Sequence, residues 1–152
     1  MSERIGKFIS IEGGEGAGKS TALNAIQRFL ESRGAVVVCT REPGGTVIGE
    51  KIRGLLLDPN NKIVSNAELL LMFASRAQLV AELIKPEIAK GNMVISDRFT
   101  DASFAYQGGG RGIDDADIAE LEHRFVAIKP DLTLLLDLGV SQGLARAKSR
   151  GQ

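Results

Sequence analysis

The sequence predicts an α/β fold, a three-layer sandwich in which a parallel β-sheet lies between two layers of helices. Short apolar runs alternate along the chain with segments whose apolar residues recur at helical spacing. A glycine-rich stretch joins the first apolar run to the first helical segment. Strands that alternate with helices form parallel sheets through right-handed crossovers. The 152 residues are enough for one domain with its own core.

Four apolar runs predict the strands, at residues 5–12, 36–39, 93–96 and 132–136. The run at 36–39 is unbroken and rich in β-branched residues, which is typical of a strand covered on both faces. Cys39 ends that run and is therefore expected to be a small buried apolar group.

Helical periodicity begins near residues 19, 47, 65, 114 and 141. The segment from 65 to about 85 is the longest, and the spacing of Ser65 and Glu68 predicts a capping box at its start. Pro86 is expected to kink or restart this helix.

The composition excludes several functional classes. Nineteen basic residues balance nineteen acidic ones, so no overall field attracts nucleic acid or an anionic membrane, and any anion site must be built locally. A single cysteine forms no internal disulfide and no cysteine-rich metal cluster. Residues 1–4 lack the apolar segment of a signal peptide, and no run is long enough to span a membrane, so we expect a cytoplasmic protein.

The stretch GGEGAGKS has the spacing of a phosphate-binding loop, with Gly13, Gly18, Lys19 and Ser20 at the defining positions. Glycines let backbone N–H groups approach a phosphate closely, and the positive end of the following helix favours the anion. Lys19 is expected to reach the terminal phosphates, and the Ser20 hydroxyl is expected to bind Mg²⁺. The predicted nucleotide-binding residues are Gly13, Gly14, Glu15, Gly16, Ala17, Gly18, Lys19, Ser20 and Thr21.

Two further loops follow the second and third strands. The stretch TREPGGT occupies residues 40–46, and Asp97 and Arg98 end the third strand. Because ligands of open α/β sheets bind at the carboxyl ends of the strands, these loops should converge with the glycine loop. Asp97 suits a metal-binding acid and Arg98 a phosphate contact. Three such loops at one edge favour two phosphorylated ligands and transfer between them.

Five segments together resemble bacterial thymidylate kinase. They are EGGEGAGKST, TREPGGT, LLLMFASRAQ, SDRFTDASFAYQGGGRG and PDLTLLLDL, and the resemblance runs from about Phe8 to the last residue. It implies the P-loop nucleoside-monophosphate kinase fold and Mg²⁺-dependent transfer of the γ-phosphoryl group of ATP to dTMP, giving dTDP for dTTP synthesis. It also implies a possible homodimer. Family members extend further, so residues 1–152 are expected to be a single P-loop kinase domain without most of a mobile lid, a fifth strand and the terminal helices.

The resemblance also implies roles for residues of the acceptor site. Arg53 would be a second clamp on the dTMP phosphate beside Arg98, while Glu42 and Pro43 would form a wall. Glu15, inside the glycine loop, would contact the 3′-hydroxyl of the deoxyribose or a metal-bound water. These four residues and Arg98 make up the phosphate and sugar part of the predicted dTMP site.

For the base, the family places an aromatic ring on thymine and an arginine at its O4 atom, which is Arg76 here. Either Met72 or Phe73 could be the residue that covers the base. Some family members carry the aromatic four residues before the arginine, which is the position of Met72, and Phe73 lies three before it. The remaining members of the predicted base site are Ser103 and Gln107 at the polar edge of thymine and Tyr106 where a ribose 2′-hydroxyl would lie.

A catalytic arginine is also implied. Some family members carry it in the glycine loop, where this chain has Glu15, Gly16 and Ala17, and the others supply it from the lid. The stretch ARAKSRG matches the entry to that lid. The resemblance therefore makes Arg150 the candidate catalytic arginine and implies that Arg146 stacks on adenine. The predicted catalytic residues are Lys19, Asp97, Arg98 and Arg150, with Ser20 and Asp97 at the metal.

Two alternatives remain open at this level. One is another P-loop nucleoside-monophosphate or small-metabolite kinase, and the other is a non-catalytic nucleotide-binding switch. A GTPase is disfavoured because the Asn61-Lys62 pair has Val64 where the base-reading aspartate should be.

Overall fold

The computed structural model describes residues 5–151 and has the predicted α/β architecture. Residues 1–4, on which the signal-peptide argument partly rests, and residue 152 lie outside the described range. Four parallel strands form one sheet, in the order β2-β3-β1-β4. The strands are β1 (Lys7–Gly13), β2 (Val37–Arg41), β3 (Met93–Asp97) and β4 (Leu132–Leu136).

Seven α-helices lie between and after the strands in the described range. They are α1 (Lys19–Ser32), α2 (Val47–Leu57), α3 (Ser65–Leu79), α4 (Lys85–Ala89), α5 (Thr100–Ser103), α6 (Asp115–Leu121) and α7 (Val140–Arg150). Three π-helical segments, Val80–Ile84, Phe104–Gly109 and Glu122–Val126, continue α3, α5 and α6. None of the helices described is long and apolar enough to span a membrane.

The long helical segment agrees with its prediction at Pro86 and differs from it at its start. A π-helical turn follows α3, and α4 begins at Lys85 with the proline in its first turn, where a missing N–H costs little. The predicted capping box is wrong, because the structure gives the start of α3 no side-chain cap and the Glu68 carboxylate binds Gln107 and Arg111 instead.

The core lies under β1 and β3, the two central strands. Phe8 on β1 and Val94 on β3 are fully buried and pack with Phe73, Leu79 and other apolar residues of the long helical segment. Phe8 and Phe99 meet edge to face, with ring centroids 4.8 Å apart. The buried central strands fix the position of the loops at their carboxyl ends.

The prediction that residues 36–39 are covered on both faces is wrong. β2 is an edge strand that pairs with β3, and the Cys39 side chain on it is exposed rather than buried. Val36, just before β2, is also 59% exposed. An unbroken apolar run predicts burial only where neighbouring strands and helices cover it, and the position of the strand in the sheet decides that.

Candidate active site

The carboxyl ends of β1, β2 and β3 meet around one cavity of about 430 Å³. The glycine loop, the TREPGGT loop and the Asp97-Arg98 pair all contribute to it, as predicted for the edge of a parallel sheet. It is lined by Glu15, Gly16, Gly18, Lys19, Ser20, Arg41, Glu42, Pro43, Arg53, Leu57, Asp97, Arg98, Ala147 and Arg150. Five of these side chains are cationic, which suits a site for clustered negative charge.

The glycine loop connects β1 to α1. Gly18 precedes α1 with φ +95°, a left-handed conformation that favours glycine, and a Cβ there would meet nothing within 4 Å. Lys19 spans the loop, since its Nζ donates to the carbonyl oxygens of Gly13 at 3.0 Å and Gly14 at 2.9 Å. The open space beside Gly18 and the ammonium across the loop form a cradle whose size and charge suit phosphate oxygens.

Positive charge is concentrated beside this cradle. Burial lowers the pKa of Lys19, and the nearby Arg98 guanidinium lowers it further. Burial likewise lowers the pKa of Arg53, with Arg41 adding to the effect. Each of these shifts reports a cation that an anion in the cavity would stabilise.

Asp97 has one carboxylate oxygen without a protein partner in the described structure. That oxygen, Oδ1, is buried, and Asp97 shares the cavity with the Ser20 hydroxyl group. A buried carboxylate oxygen of this kind needs a proton donor or a cation. Within residues 5–151, no group of three or more His, Cys, Asp or Glu side chains could hold a metal ion by itself.

Arg98 has an unusual backbone conformation for a residue with a side chain, with φ +74°. Its N–H donates to the Ile11 carbonyl at 2.9 Å, and the buried Ser96 hydroxyl donates to the Arg98 carbonyl at 2.6 Å. Its guanidinium lies 4.8 Å from the centroid of the Tyr106 ring. Strained conformations that neighbouring bonds hold in place are concentrated at functional sites.

Glu12, at the end of β1, secures the residue that follows Arg98. Its carboxylate accepts a 2.7 Å hydrogen bond from the Phe99 N–H, and its side chain is only 5% exposed. Burial raises the pKa of Glu12 to about 7, against the lowering effect of that hydrogen bond. Ser96 on β3 and Glu12 on β1 therefore anchor the loop that carries Arg98 to the sheet.

Two arginines reach the cavity from the part of the chain that follows β2, Arg41 from the end of the strand and Arg53 from α2. Arg53 donates from Nη1 to the Pro43 carbonyl at 2.8 Å. Arg41 lies 3.1 Å from the Glu50 carboxylate and also lines the cavity. The sequence predicted that the TREPGGT stretch lies at this edge, but Arg41 was given no role there, although its position at the carboxyl end of β2 was a signal for one.

A second cavity of about 190 Å³ adjoins the first and shares Glu42, Pro43 and Arg98 with it. Its other lining residues are Leu56, Leu57, Glu68, Met72, Ala102, Tyr106 and Gln107. Met72 faces this cavity, whereas Phe73 is 3% exposed and belongs to the core. Of the two residues proposed to cover a base, the structure brings Met72 to the cavity.

Arg76 lies beneath these cavities and is fully buried. Its Nη2 atom lies 2.7 Å from the Glu42 carboxylate and also donates to the Phe99 carbonyl at 3.2 Å, and its Nη1 atom donates to the Ser103 hydroxyl at 2.9 Å. Its guanidinium also lies 4.8 Å from the ring centroid of Phe73. Arg76 and Ser103 are not among the lining residues of either cavity, and they support the residues that are.

Glu42 connects this buried network to both cavities. Burial raises the pKa of Glu42, and the Arg76 guanidinium opposes the rise. Separating Glu42 from Arg76 would leave a buried charge without compensation, which is strongly unfavourable. The ion pair therefore holds Glu42 and the adjoining Pro43 against α3. The Gly44 N–H adds a 3.2 Å hydrogen bond to the buried Ser75 hydroxyl on α3.

Helix α7 packs against the glycine loop through two glycines. A Cβ on Gly16 would overlap the Gly143 carbonyl, and a Cβ on Gly143 would lie 2.5 Å from the Glu15 carbonyl oxygen. Ala147 and Arg150 follow Gly143 on the same helical face, and both line the first cavity. Arg146, on the same helix, is exposed and is not among the lining residues.

The parallel sheet, the glycine loop at the start of α1 and a cationic cavity at the strand ends define a P-loop phosphotransferase of the nucleoside-monophosphate kinase class. The family model described as thymidylate kinase matches residues 11–152. The chain belongs to the thymidylate kinase family.

Individual relatives agree with the family model. The chain is 57% identical over 148 residues to a thymidylate kinase from Hahella chejuensis, which covers 96% of this chain and 71% of that protein. A thymidylate kinase from Ectopseudomonas mendocina is 54% identical over 150 residues, covering 97% and 71%. The crystal structure of thymidylate kinase from Ehrlichia chaffeensis superposes with a TM-score of 0.83 at 35% identity, covering 95% of this chain and 83% of that one.

Proposed function

We propose that the first cavity is where the γ-phosphoryl group of ATP passes to dTMP, and that the second cavity holds the thymine base. One observation carries this assignment. The ammonium of Lys19 and the guanidinium groups of Arg53 and Arg98 line the same cavity, from segments that follow three different strands. A cavity with phosphate-binding groups from several segments can hold a donor and an acceptor phosphate together.

The donor phosphates occupy the glycine loop in this proposal. Lys19 exchanges its contacts with the Gly13 and Gly14 carbonyls for the β- and γ-phosphates, and the positive end of α1 favours the same anion. The remaining proposed donor contacts come from the backbone of residues 13–18, from Ser20 and Thr21, and from Arg146 at the adenine.

We further propose that Mg²⁺ accompanies ATP, held by the Ser20 hydroxyl and the Asp97 carboxylate. The donor set fits this ion, because Mg²⁺ prefers oxygen ligands and is usually bound by one or two protein groups together with phosphates. The buried Oδ1 atom of Asp97, which has no partner in the described structure, supports the assignment. When bound, the ion neutralises charge on the phosphates being transferred.

The acceptor phosphate lies between Arg98 and Arg53 in this proposal. An oxygen of the dTMP phosphate is already ionised, so the attack needs no general base, and the reaction depends on positioning and on charge stabilisation. Glu42 and Pro43 form the adjoining wall, and Glu15 is placed at the sugar hydroxyl or at a water. The ion pair between Glu42 and Arg76 keeps that wall fixed.

The base enters the second cavity in this proposal. Met72 covers it, Gln107 contacts its polar edge and Tyr106 blocks a ribose 2′-hydroxyl. Phe73, Arg76 and Ser103 act from below by packing and hydrogen bonding. The 190 Å³ volume suits a planar ring better than a whole nucleotide, which agrees with the division of the substrate between two cavities.

A substrate comparison tests the function. The chain should phosphorylate dTMP well ahead of dCMP and AMP, with dUMP next, in an assay that measures ADP and the nucleoside diphosphate together. ADP release that does not depend on an acceptor would instead indicate a nucleotide-hydrolysing switch. A preference for AMP would indicate another monophosphate kinase.

Arg150 is the proposed source of the positive charge that stabilises the transferred group, and the packing of α7 on the glycine loop places it. We expect Gly143→Ala to lower kcat about 10–100-fold, because a shift of about 1 Å in a reacting group can cost that much. The added Cβ would lie 2.5 Å from the Glu15 carbonyl oxygen, so α7 must shift and carry Arg150 with it. Steady-state kinetics with both substrates measure the change.

Gly54→Ala is the matched control for this variant. Gly54 is also helical, and a Cβ there would meet nothing within 4 Å. Alanine favours a helix equally at both positions, so the two variants differ in the contact with the loop. Equal kcat values for the two variants would contradict the role given to the packing of α7.

We also propose a single kinase domain, a cytoplasmic location and a homodimer. The homodimer proposal is supported by large apolar side chains that are exposed on or next to α2 and α3. They include Val47 at 72%, Leu55 at 50%, Val64 at 70% and Leu70 at 57% exposure. Apolar groups exposed in this number on neighbouring helices are typical of an interface.

A further inference from the structure

Glu68 binds one end of the Gln107 amide at the edge of the second cavity. Gln107 is 4% exposed, and its Nε2 atom donates to Glu68 Oε1 at 3.0 Å. Its Oε1 atom is buried and has no hydrogen-bond partner in the described part of the chain. Both residues line the 190 Å³ cavity.

The chemistry of the pair determines which way the amide points. A carboxylate only accepts hydrogen bonds, so it binds the NH2 end of an amide and repels the carbonyl end. Glu68 is itself held by Arg111, whose Nη2 atom lies 2.8 Å from Glu68 Oε2. The carbonyl end of Gln107 is therefore directed away from Glu68 and remains available as an acceptor.

A buried acceptor without a partner favours a ligand that supplies a donor. The ring edge of thymine or uracil presents an imino N–H at position three, whereas cytosine presents a lone pair at the same atom. Thymine would satisfy Gln107 Oε1, and cytosine would place two acceptors against each other. Sites that are built to receive a hydrogen bond discriminate strongly against analogues that lack the donor.

We propose that Glu68 determines base specificity by fixing the orientation of the Gln107 amide, so that the site selects pyrimidines with an imino N–H over cytosine. Glu68 acts through Gln107 and is a positioning residue. The proposal rests on the proposed function, because it requires the base in the second cavity. Without Glu68 the amide can rotate and offer its NH2 group, which suits the lone pair of cytosine.

The test compares kcat/KM for dTMP and for dCMP in Glu68→Ala and in the unmodified chain. We expect the dTMP-to-dCMP ratio to fall about tenfold or more. With the amide fixed, dTMP gains one net hydrogen bond and dCMP meets an unfavourable contact, and this difference is lost when the amide can rotate. Arg111→Ala should lower the ratio in the same direction by less, because Glu68 keeps its position but loses its support. Arg111 is about half exposed, so Arg111→Ala should fold normally and still test the role of Glu68 if Glu68→Ala folds poorly.

Glu82→Ala is the matched control. Glu82 accepts a 2.7 Å hydrogen bond from Gln78 Nε2, which reproduces the same pair of groups at an exposed position away from the cavity. Its ratio should stay within about twofold of the unmodified value, as expected for a surface pair. A Glu68→Ala ratio equal to that of Glu82→Ala, or equal losses for dTMP and dCMP, would overturn the proposal while leaving the proposed function intact. An unmodified chain that neither binds nor phosphorylates dTMP would overturn both.

Discussion

Lys19→Ala should reduce turnover about 10³-fold or more. Removing a single preorganised donor from a charge-stabilising site costs about 10²–10³ in kcat, and Lys19 is a full positive charge as well as a donor. Its Nζ atom lies across the glycine loop, within hydrogen-bonding distance of two carbonyl groups. The variant therefore loses the ammonium that lies across the glycine loop, where the donor phosphates are proposed to bind.

Lys51→Ala separates this effect from a general loss of positive charge. Lys51 is an exposed residue of α2 and lies outside the lining of the first cavity. Turnover and ATP binding should be unchanged in this control. A Lys19→Ala protein with near-normal turnover and an unchanged melting temperature would refute the assignment of the glycine loop to the donor.

Lys19→Arg sharpens the test. The charge is kept, but a planar guanidinium on a different stem does not reproduce a compact ammonium between the two carbonyls. Turnover should stay far below that of the unmodified chain. Full activity in this variant would show that net charge in the cavity, rather than the position of the donor, determines the rate.

Arg150→Ala should reduce kcat about 10³–10⁵-fold, the range seen for arginines that stabilise the transferred phosphoryl group. Arg150 lines the first cavity from the last turn of α7, on the side of the glycine loop. Because its proposed contact develops in the transition state, the affinity for dTMP should remain nearly unchanged. Equilibrium binding of dTMP together with kcat separates the two quantities.

Lys148→Ala is the control for Arg150→Ala. Lys148 lies on the same helix, carries the same charge and is exposed, and it is not among the lining residues. Its kcat should match that of the unmodified chain. A large loss of dTMP binding in Arg150→Ala would place this arginine at the acceptor instead of at the transferred group.

The sequence was sufficient to predict the parts of the site that local chemistry defines. The spacing from Gly13 to Ser20 requires a loop between a strand and a helix, and the structure has that loop between β1 and α1. The positions of Asp97 and Arg98 at the end of an apolar run predicted that they face the same sheet edge as the glycine loop, and they line the same cavity. These predictions succeeded because a parallel sheet brings the carboxyl ends of its strands together.

Other features required the packed structure. The capping-box spacing of Ser65 and Glu68 is a local pattern, and a contact with Gln107, which is 39 residues further along the chain, overrides it. Met72 and Phe73 are neighbours of similar character in sequence, and the direction of α3 decides that one faces the cavity and the other the core. The left-handed backbone of Arg98 has no signal in the residue type, because non-glycine residues rarely adopt it.

The sequence by itself determined the order of strands and helices, the position of the glycine loop and the family to which the chain belongs. Only the tertiary structure decided that Arg76 is buried in an ion pair, that Cys39 is exposed and that α7 packs on the glycine loop. The physical reason is the range of the interactions involved. Strands, caps and glycine loops follow from residues close together in the chain, whereas burial and ion pairing depend on which distant segments the fold brings into contact.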